Sequence, residues 1–284
     1  MPPSEENKGT ILTQLAVSCG LRNVKKRRGD GGMQIAFQTD VGMVRKHNED
    51  SGEVFTKGEH FLAVIADGMG GHKAGDIASQ EALKVMKEAW GQFEENMGNV
   101  KEWITNVLRD ANKHIFEFSQ GNPETRGMGT TIVAALGTNH EITIAHIGDS
   151  RCYLFSNGEL KRVTDDHSLV QELVKSGQIT EDEAEIHPRR NMIMKAVGTD
   201  ETVEAELNEI IWSKGDYLLL CSDGLSDKVS FKRIHEALDN SEETVTEKVE
   251  KLITWAKDAG GEDNITAILI QNSSDTDTKG EAIT

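Results

Sequence analysis

The 284-residue chain is long enough for one large domain or two small ones. Its net charge of −17, from 31 basic and 48 acidic residues, argues against a general nucleic-acid or anionic-membrane binder. No apolar run approaches a membrane span, and Cys19, Cys152 and Cys221 form neither a CxxC pair nor a disulfide framework, as suits a reducing cytoplasm.

Residues 1–32 differ from the rest. A polar opening and a weak apolar patch, Ile11 to Val17, lead to Lys25-Lys26-Arg27-Arg28, read here as a solvated, flexible extension rather than a docking arm. Gln34 to Asp40 predicts the first strand. The segment after it joins Arg45 to Asn48-Glu49-Asp50. Arg45 can bind an anionic oxygen bidentately; its bland alternative is a surface ion pair with Glu49, worth little.

Phe61 to Ala66 predicts a buried strand ending at Asp67, followed by Gly68, Gly70, Gly71 and Gly75. A carboxylate at a strand tip beside unencumbered backbone can hold a hard cation or a phosphate, or be a simple Asp-Gly turn. Helices are predicted over Ala74–Trp90 and Val100–Gln120, the second with Trp103, Val107, Ile115 and Phe118 as core contacts.

The middle is a β meander. Ile132 to Leu136 and Ile142 to Ile147 form one hairpin, and Tyr153 to Phe155 pairs with Leu160 to Val163 through Asn157-Gly158. Residues 165–200 are less regular: a short helix near His167 to Ser176, a capping box at Thr180 to Glu183, then Arg189 and Arg190. This insertion is either a lid over a site or an ordinary long connection. Ile210 to Trp212 is expected to pair with Tyr217 to Cys221 around Ser213-Lys214-Gly215. Helices follow at Phe231–Leu238 and Val245–Lys257, the latter stopped by Gly260 and Gly261, and Ile265 to Ile270 is the last strand. From Gln271 the chain is polar and expected to fray.

An aspartate sits at one edge of each of several strands: Asp50, Asp67, Asp149, Asp223 and Asp263, with Asp227 nearby. Burying so many carboxylates together is costly unless cations compensate them. The simplest arrangement is one multi-metal site built from strand ends.

The motifs RKHNED (45–50), ADGMGGHKAG (66–75), GTT (129–131), IGDSR (147–151), CSDGLSD (221–227) and GEDNIT (261–266) occur in one order. The set resembles the metal-dependent serine/threonine protein phosphatases of the type 2C class in their compact bacterial form, over about Gln34 to Gln271. The resemblance implies an α+β, four-layer αββα sandwich: two antiparallel sheets face to face with helices outside. It divides the chain into an extension (1–32), a catalytic domain (33–271) with a flap-like insertion at about 165–200, and a tail (272–284). It implies Mn²⁺ or Mg²⁺, two ions and a third. Asp67 would bridge the pair, with the Gly68 carbonyl on one ion and Asp223 and Asp263 completing the other. Glu49 and Asp50 would act largely through bound water, and Asn264 would support them. Asp149, with Asp223 or Asp227, would hold the third ion. Arg45 would grip the substrate phosphate, and Thr131 would pack.

The resemblance further implies that a metal-bridging hydroxide attacks phosphorus directly, the two ions lying roughly 3.5–4 Å apart. No phospho-enzyme is needed, so neither Cys152 nor Cys221 need be a nucleophile. Animal members carry a histidine after the Asp-Gly, where this chain has Met69. His72 is either the proton donor to the leaving alkoxide or a hydrogen-bonding support of a ligand, and metal-bound water and His47 are further donors. Expected substrates are phosphoserine and phosphothreonine in proteins, including a partner Ser/Thr kinase and its targets. The protein is expected to be a cytoplasmic monomer with no nucleic-acid partner and no membrane span.

Overall fold

The computed structural model describes residues 32–71, 74–95, 98–121 and 123–273, together with the backbone of 25–28. His72 and Cys19 lie outside the described residues, as do 1–24 and 274–284. Among the described residues, twelve strands and seven α-helices follow in chain order. The strands β1 (Lys25–Arg28), β2 (Met33–Asp40), β3 (Asp50–Lys57) and β4 (His60–Met69) precede α1 (Ala74–Gly91) and α2 (Val100–Gly121). Then come β5 (Gly129–Thr130), β6 (Ile132–Gly137), β7 (Glu141–Ile147), β8 (Arg151–Ser156), β9 (Glu159–Arg162), α3 (Leu169–Lys175) and α4 (Glu181–Glu185). The chain continues through β10 (Glu206–Ile211), β11 (Tyr217–Cys221), α5 (Asp223–Ser226), α6 (Phe231–Asp239), α7 (Val245–Asp258) and β12 (Ile265–Asn272).

The strands form two antiparallel sheets, ordered β1-β2-β12-β11-β8-β9 and β10-β7-β6-β4-β3, with the short β5 on β4. Three apolar layers hold them. Ile35, Phe61, Ile65, Ile144 and Ile268 fill the space between the sheets. Met86, Trp90, Ile104 and Ile115 pack α1 and α2 on the second sheet. Val249, Leu252 and Ile253 of α7, with Ile234 of α6, cover the first. Each strand facing two layers is buried on both sides, which is why β4, β6 and β12 read as continuous apolar runs. The expected αββα sandwich is the observed one.

The two expected hairpins form. The β8–β9 turn places Asn157 at φ 52° and Gly158 at φ 78°, the backbone such a two-residue turn requires. The capping box at Thr180 and Glu183 opens α4.

Four expectations need correction. Tyr217 to Cys221 does not pair with the segment before it: β10 runs along β7 in the second sheet, and β11 lies between β8 and β12 in the first. Trp212 decides this. It is buried, lies tilted against Phe61 with ring centroids 6.0 Å apart, and donates from Nε1 to the Thr138 carbonyl (2.9 Å), so the chain must cross between sheets there. The basic run 25–28 adds a strand to the edge of the first sheet, because ladder hydrogen bonds are indifferent to side-chain charge; charged residues on an edge also discourage pairing with other chains. β12 runs through Asn272, and Ser273 donates its N–H to the Gly32 carbonyl (2.9 Å), so the polar end is fastened that far. Phe118 is 40% exposed rather than core, since it sits at the rim of the α2 stripe.

Candidate active site

Antiparallel pairing brings the aspartates to one end of the double sheet. Asp50 opens β3 and lies directly opposite Asp67 on β4, which continues two residues past the expected stop. Asp149 lies in the β7–β8 turn, Asp223 opens α5 after β11, and Asp263 precedes β12.

The backbone around Asp67 is pinned. Its N–H donates to Thr131 Oγ1 (3.1 Å), and its carbonyl accepts from Thr131 N–H (2.8 Å) and Thr130 Oγ1 (2.9 Å). Thr131 Oγ1 also meets Ser150 Oγ at 2.7 Å, so this residue fastens the strand that bears Asp67 to the turn that bears Asp149 and does more than pack. Gly68 passes so close to α1 that a Cβ there would lie 2.0 Å from the Gly75 carbonyl oxygen, and a Cβ on Gly75 would lie 2.7 Å from Glu49 Oε2. Only glycine permits both approaches.

Asn264 shapes the other wall. Its Oδ1 accepts from Glu49 N–H (2.7 Å), while its amide donates to the carbonyls of Val41 and His47 (both 2.9 Å). Asp50 Oδ2 accepts from Ser222 Oγ (2.8 Å) and Thr266 Oγ1 (2.6 Å). Both hydroxyl residues lie inside the motifs CSDGLSD and GEDNIT, and only their nearness to a motif aspartate hints at this role in the sequence. Arg45 donates from Nη2 to Asp263 Oδ2 (2.8 Å), with half its side chain exposed. It pairs with Asp263 rather than with Glu49.

The electrostatics are those of uncompensated negative charge. Burial pushes the Asp50 carboxyl up to about 6, against the donor hydrogen bonds of Thr266 and Ser222. Burial, with Asp166 close by, raises Asp149 to about 7. Asp67 and Asp223 lie well above the usual range, from burial first and then the charges of the neighbouring aspartates. Burial also raises Glu49 and Asp227. Asp50 Oδ1, Asp149 Oδ1 and Asp223 Oδ1 are buried without a hydrogen-bond partner. An all-oxygen donor set with orphaned buried lone pairs fits hard divalent cations.

Asp227 stands slightly apart, 4.0 Å from Arg151 Nη2. Behind it Asp166 is gripped by Arg151 through Nε and Nη2 (3.0, 3.2 and 2.7 Å) and by Arg162, a buried ion cluster that the sequence reading missed inside the insertion. The insertion carries exposed Ile186, Met192 and Met194. Ser168 pairs with Ile193 across the base of the insertion, and Val197 pairs with Thr130 of β5, which ties the insertion to the sheet.

A double antiparallel sheet between helices, with a pocket of buried carboxylates at one end, defines a metal-dependent phosphatase of the αββα class. Residues 44–269 match the protein phosphatase 2C family model, and the chain belongs to that family. The serine/threonine phosphatase stp of Listeria monocytogenes is 40% identical over 84% of this chain and 96% of its own length. The crystal structure of the Mycobacterium tuberculosis serine/threonine phosphatase PstP/Ppp superposes with a TM-score of 0.78 at 39% identity, over 86% of this chain and 99% of that one. A structure of the catalytic domain of PstP in complex with 2 manganese ions gives a TM-score of 0.74 at 38% identity, over 84% of this chain and 97% of that one.

Proposed function

We propose that the acidic pocket is where this type 2C phosphatase hydrolyses phosphoserine and phosphothreonine in proteins, using two Mn²⁺ or Mg²⁺ ions and a third. The observation that carries the reading is the set of buried, orphaned carboxylate oxygens on Asp50, Asp149 and Asp223, with the half-buried Asp67 among them. Divalent ions bound there would supply an activated water and charge neutralisation for an in-line displacement at phosphorus.

The roles of the chain's own residues follow from their surroundings. Asp67 and the Gly68 carbonyl would hold the ion pair, with Asp223 and Asp263 on one member. Glu49 and Asp50 would orient bound water, and Asn264 keeps Glu49 in place through its backbone. Asp149, with Asp223 or Asp227, would take the third ion. Arg45 would bind the substrate phosphate, and its present partner Asp263 would turn to a cation. His72 is proposed to return a proton to the leaving alkoxide. The insertion at 165–200 would border the substrate.

Free, buried Cys152 and Cys221 fit a reducing cytoplasm, and among the described residues no helix is long and apolar enough to cross a membrane. A monomer acting on a Ser/Thr kinase and that kinase's targets is the proposed setting. Hydrolysis of a phosphothreonine peptide with Mn²⁺, with and without a chelator, tests the proposal. Turnover is expected only in the chelator-free sample, and equal rates would end it.

A further inference from the structure

Beside the acidic pocket lies a second polar cluster: His146 near the end of β7, His167 at the base of the insertion, and Glu206 opening β10. Both imidazoles are buried, and their rings stack with centroids 4.6 Å apart and planes 15° from parallel. His146 Nε2 lies 2.7 Å from the Asp165 carbonyl, which can only accept, so that nitrogen carries the proton. Gly148 N–H donates to His167 Nδ1 (3.1 Å), so the proton of neutral His167 is on Nε2, facing Glu206 at 3.5 Å. Burial holds both rings below the usual histidine range and favours these neutral forms.

The candidate ligand atoms of the three residues lie within 4.8 Å of one another, near enough to suggest a transition-metal site. Two facts oppose it. Nearly parallel rings do not aim their lone pairs at one point, and His167 Nε2 bears a proton. The cluster instead acts on backbone.

His167 grips Gly148 from both sides: its own N–H donates to the Gly148 carbonyl (2.9 Å), and its Nδ1 accepts from the Gly148 N–H. Gly148 has φ +107°, and a Cβ there would lie 2.6 Å from Thr131 Cγ2, so the turn is held in a conformation closed to other residues. The next residue is Asp149. The His167 carbonyl meanwhile accepts from Met194 N–H (2.7 Å), on the returning arm of the insertion.

We propose that His167 is the positioning residue for Asp149: its Nδ1, by accepting from Gly148 N–H, aims the carboxylate at a third divalent ion and ties that ion to the base of the 165–200 insertion. The inference rests on the phosphatase reading of the pocket. Two substitutions separate the Nδ1 contact from ring packing. His167→Asn keeps an acceptor where Nδ1 stands, whereas His167→Gln carries its polar atoms one bond farther out.

Calorimetric titration of the full chain with Mn²⁺ reads the effect. Three ions are expected on the unsubstituted protein. His167→Gln should weaken the weakest of them by roughly 10-fold or more, and His167→Asn by no more than about threefold, a span set by the usual effect of groups that orient metal ligands. Equal weakening in both variants, no weakening in His167→Gln, or only two ions on the unsubstituted protein would overturn the proposal. Nitrogen NMR of the unsubstituted protein with Mg²⁺ checks it without any variant. The Nε2–H form of His167 and a Gly148 amide shift that follows the weakest site are expected, while an Nδ1–H form or an unresponsive amide would sink it. Failure of the phosphatase reading looks different: no bound ion and no chelator-sensitive hydrolysis.

Discussion

Buried and half-buried acids stand side by side at one end of the sandwich, and they are treated in two different ways. Asp166 is met by two guanidiniums, from Arg151 and Arg162, within the chain itself. Asp50, Asp67, Asp149 and Asp223 have, among the described residues, no ion pair; hydroxyls, backbone and one another are their company, and burial drives their carboxyls upward. The contrast separates a carboxylate that serves structure from carboxylates kept for something the chain does not itself supply. A buried acid with its own cation is complete; a buried acid without one must keep a proton or take a cation from outside the chain, and the second is the role proposed for these four.

Substitution should break this contrast most visibly. Asp67→Ala or Asp223→Asn should lower Mn²⁺-dependent hydrolysis of a phosphopeptide by roughly 10³-fold or more, as loss of a ligand to a catalytic ion does. In chelator at pH 8, Asp223→Asn should nevertheless raise the melting temperature, because it removes an uncompensated buried charge. Asp166→Asn should do the reverse: it strands two guanidiniums and should cost about 3–5 kcal/mol of stability with or without metal. Denaturation of both variants in chelator decides the matter. Equal destabilisation by Asp223→Asn and Asp166→Asn would erase the distinction.

The same comparison predicts a pH dependence. Carboxyls raised in the folded state, Asp50 to about 6 and Asp149 to about 7, bind more protons folded than unfolded. Their contribution is fully present below the unfolded carboxylate range and is lost as pH rises through 6 and 7. Metal-free stability should therefore fall between pH 5 and pH 8, by on the order of 1 kcal/mol per pH unit for each group titrating. Guanidinium melts in chelator measure it. Saturating Mn²⁺ should flatten or invert the slope, since the ion competes with the proton for the same oxygens. A metal-free protein whose stability rises over that range would contradict the uncompensated pocket.

Much of this was legible in the chain. Continuous apolar runs ending in aspartate fixed β4, β7 and β11, and Asn157-Gly158 fixed a hairpin, because local pattern and backbone preference suffice there. The partner of β11 was not legible. Ser213-Lys214-Gly215 looks like a hairpin turn, and only the distant contacts of Trp212 with Phe61 and Thr138 send the strands to different sheets. Asp50 to Lys57 was missed as a strand because Gly52 and Glu53 interrupt its pattern, and it is held by pairing with β4. The acids of the pocket could be named from their motifs. The groups that orient them could not, because Ser222, Thr266 and His167 act through contacts across 172, 216 and 19 residues of sequence.

The smallest expected effect sharpens the comparison at its finest point, Asp50. Its Oδ2 is the end of a directed chain of donors: Asn48 Nδ2 to Thr39 Oγ1 (2.8 Å), Thr39 to Thr266 Oγ1 (2.7 Å), and Thr266 to Asp50 (2.6 Å). A carboxylate can only accept, so Thr266 must donate to it and must receive from Thr39. These donors favour the charged form of Asp50 and oppose its burial. Thr266→Val keeps the shape and removes the hydroxyl, leaving Asp50 with Ser222 alone at that oxygen. Its carboxyl should move further up, and Mn²⁺ affinity near neutral pH should fall by roughly 10-fold, the usual cost of losing a group that orients a metal ligand. Thr266→Ser restores the donor and should recover most of the affinity. Calorimetry at pH 6 and pH 8 discriminates, because the deficit should shrink at the higher pH as Asp50 ionises regardless. A deficit independent of pH, or one shared equally by the serine variant, would mean that Thr266 supports Asp50 by packing rather than by charge.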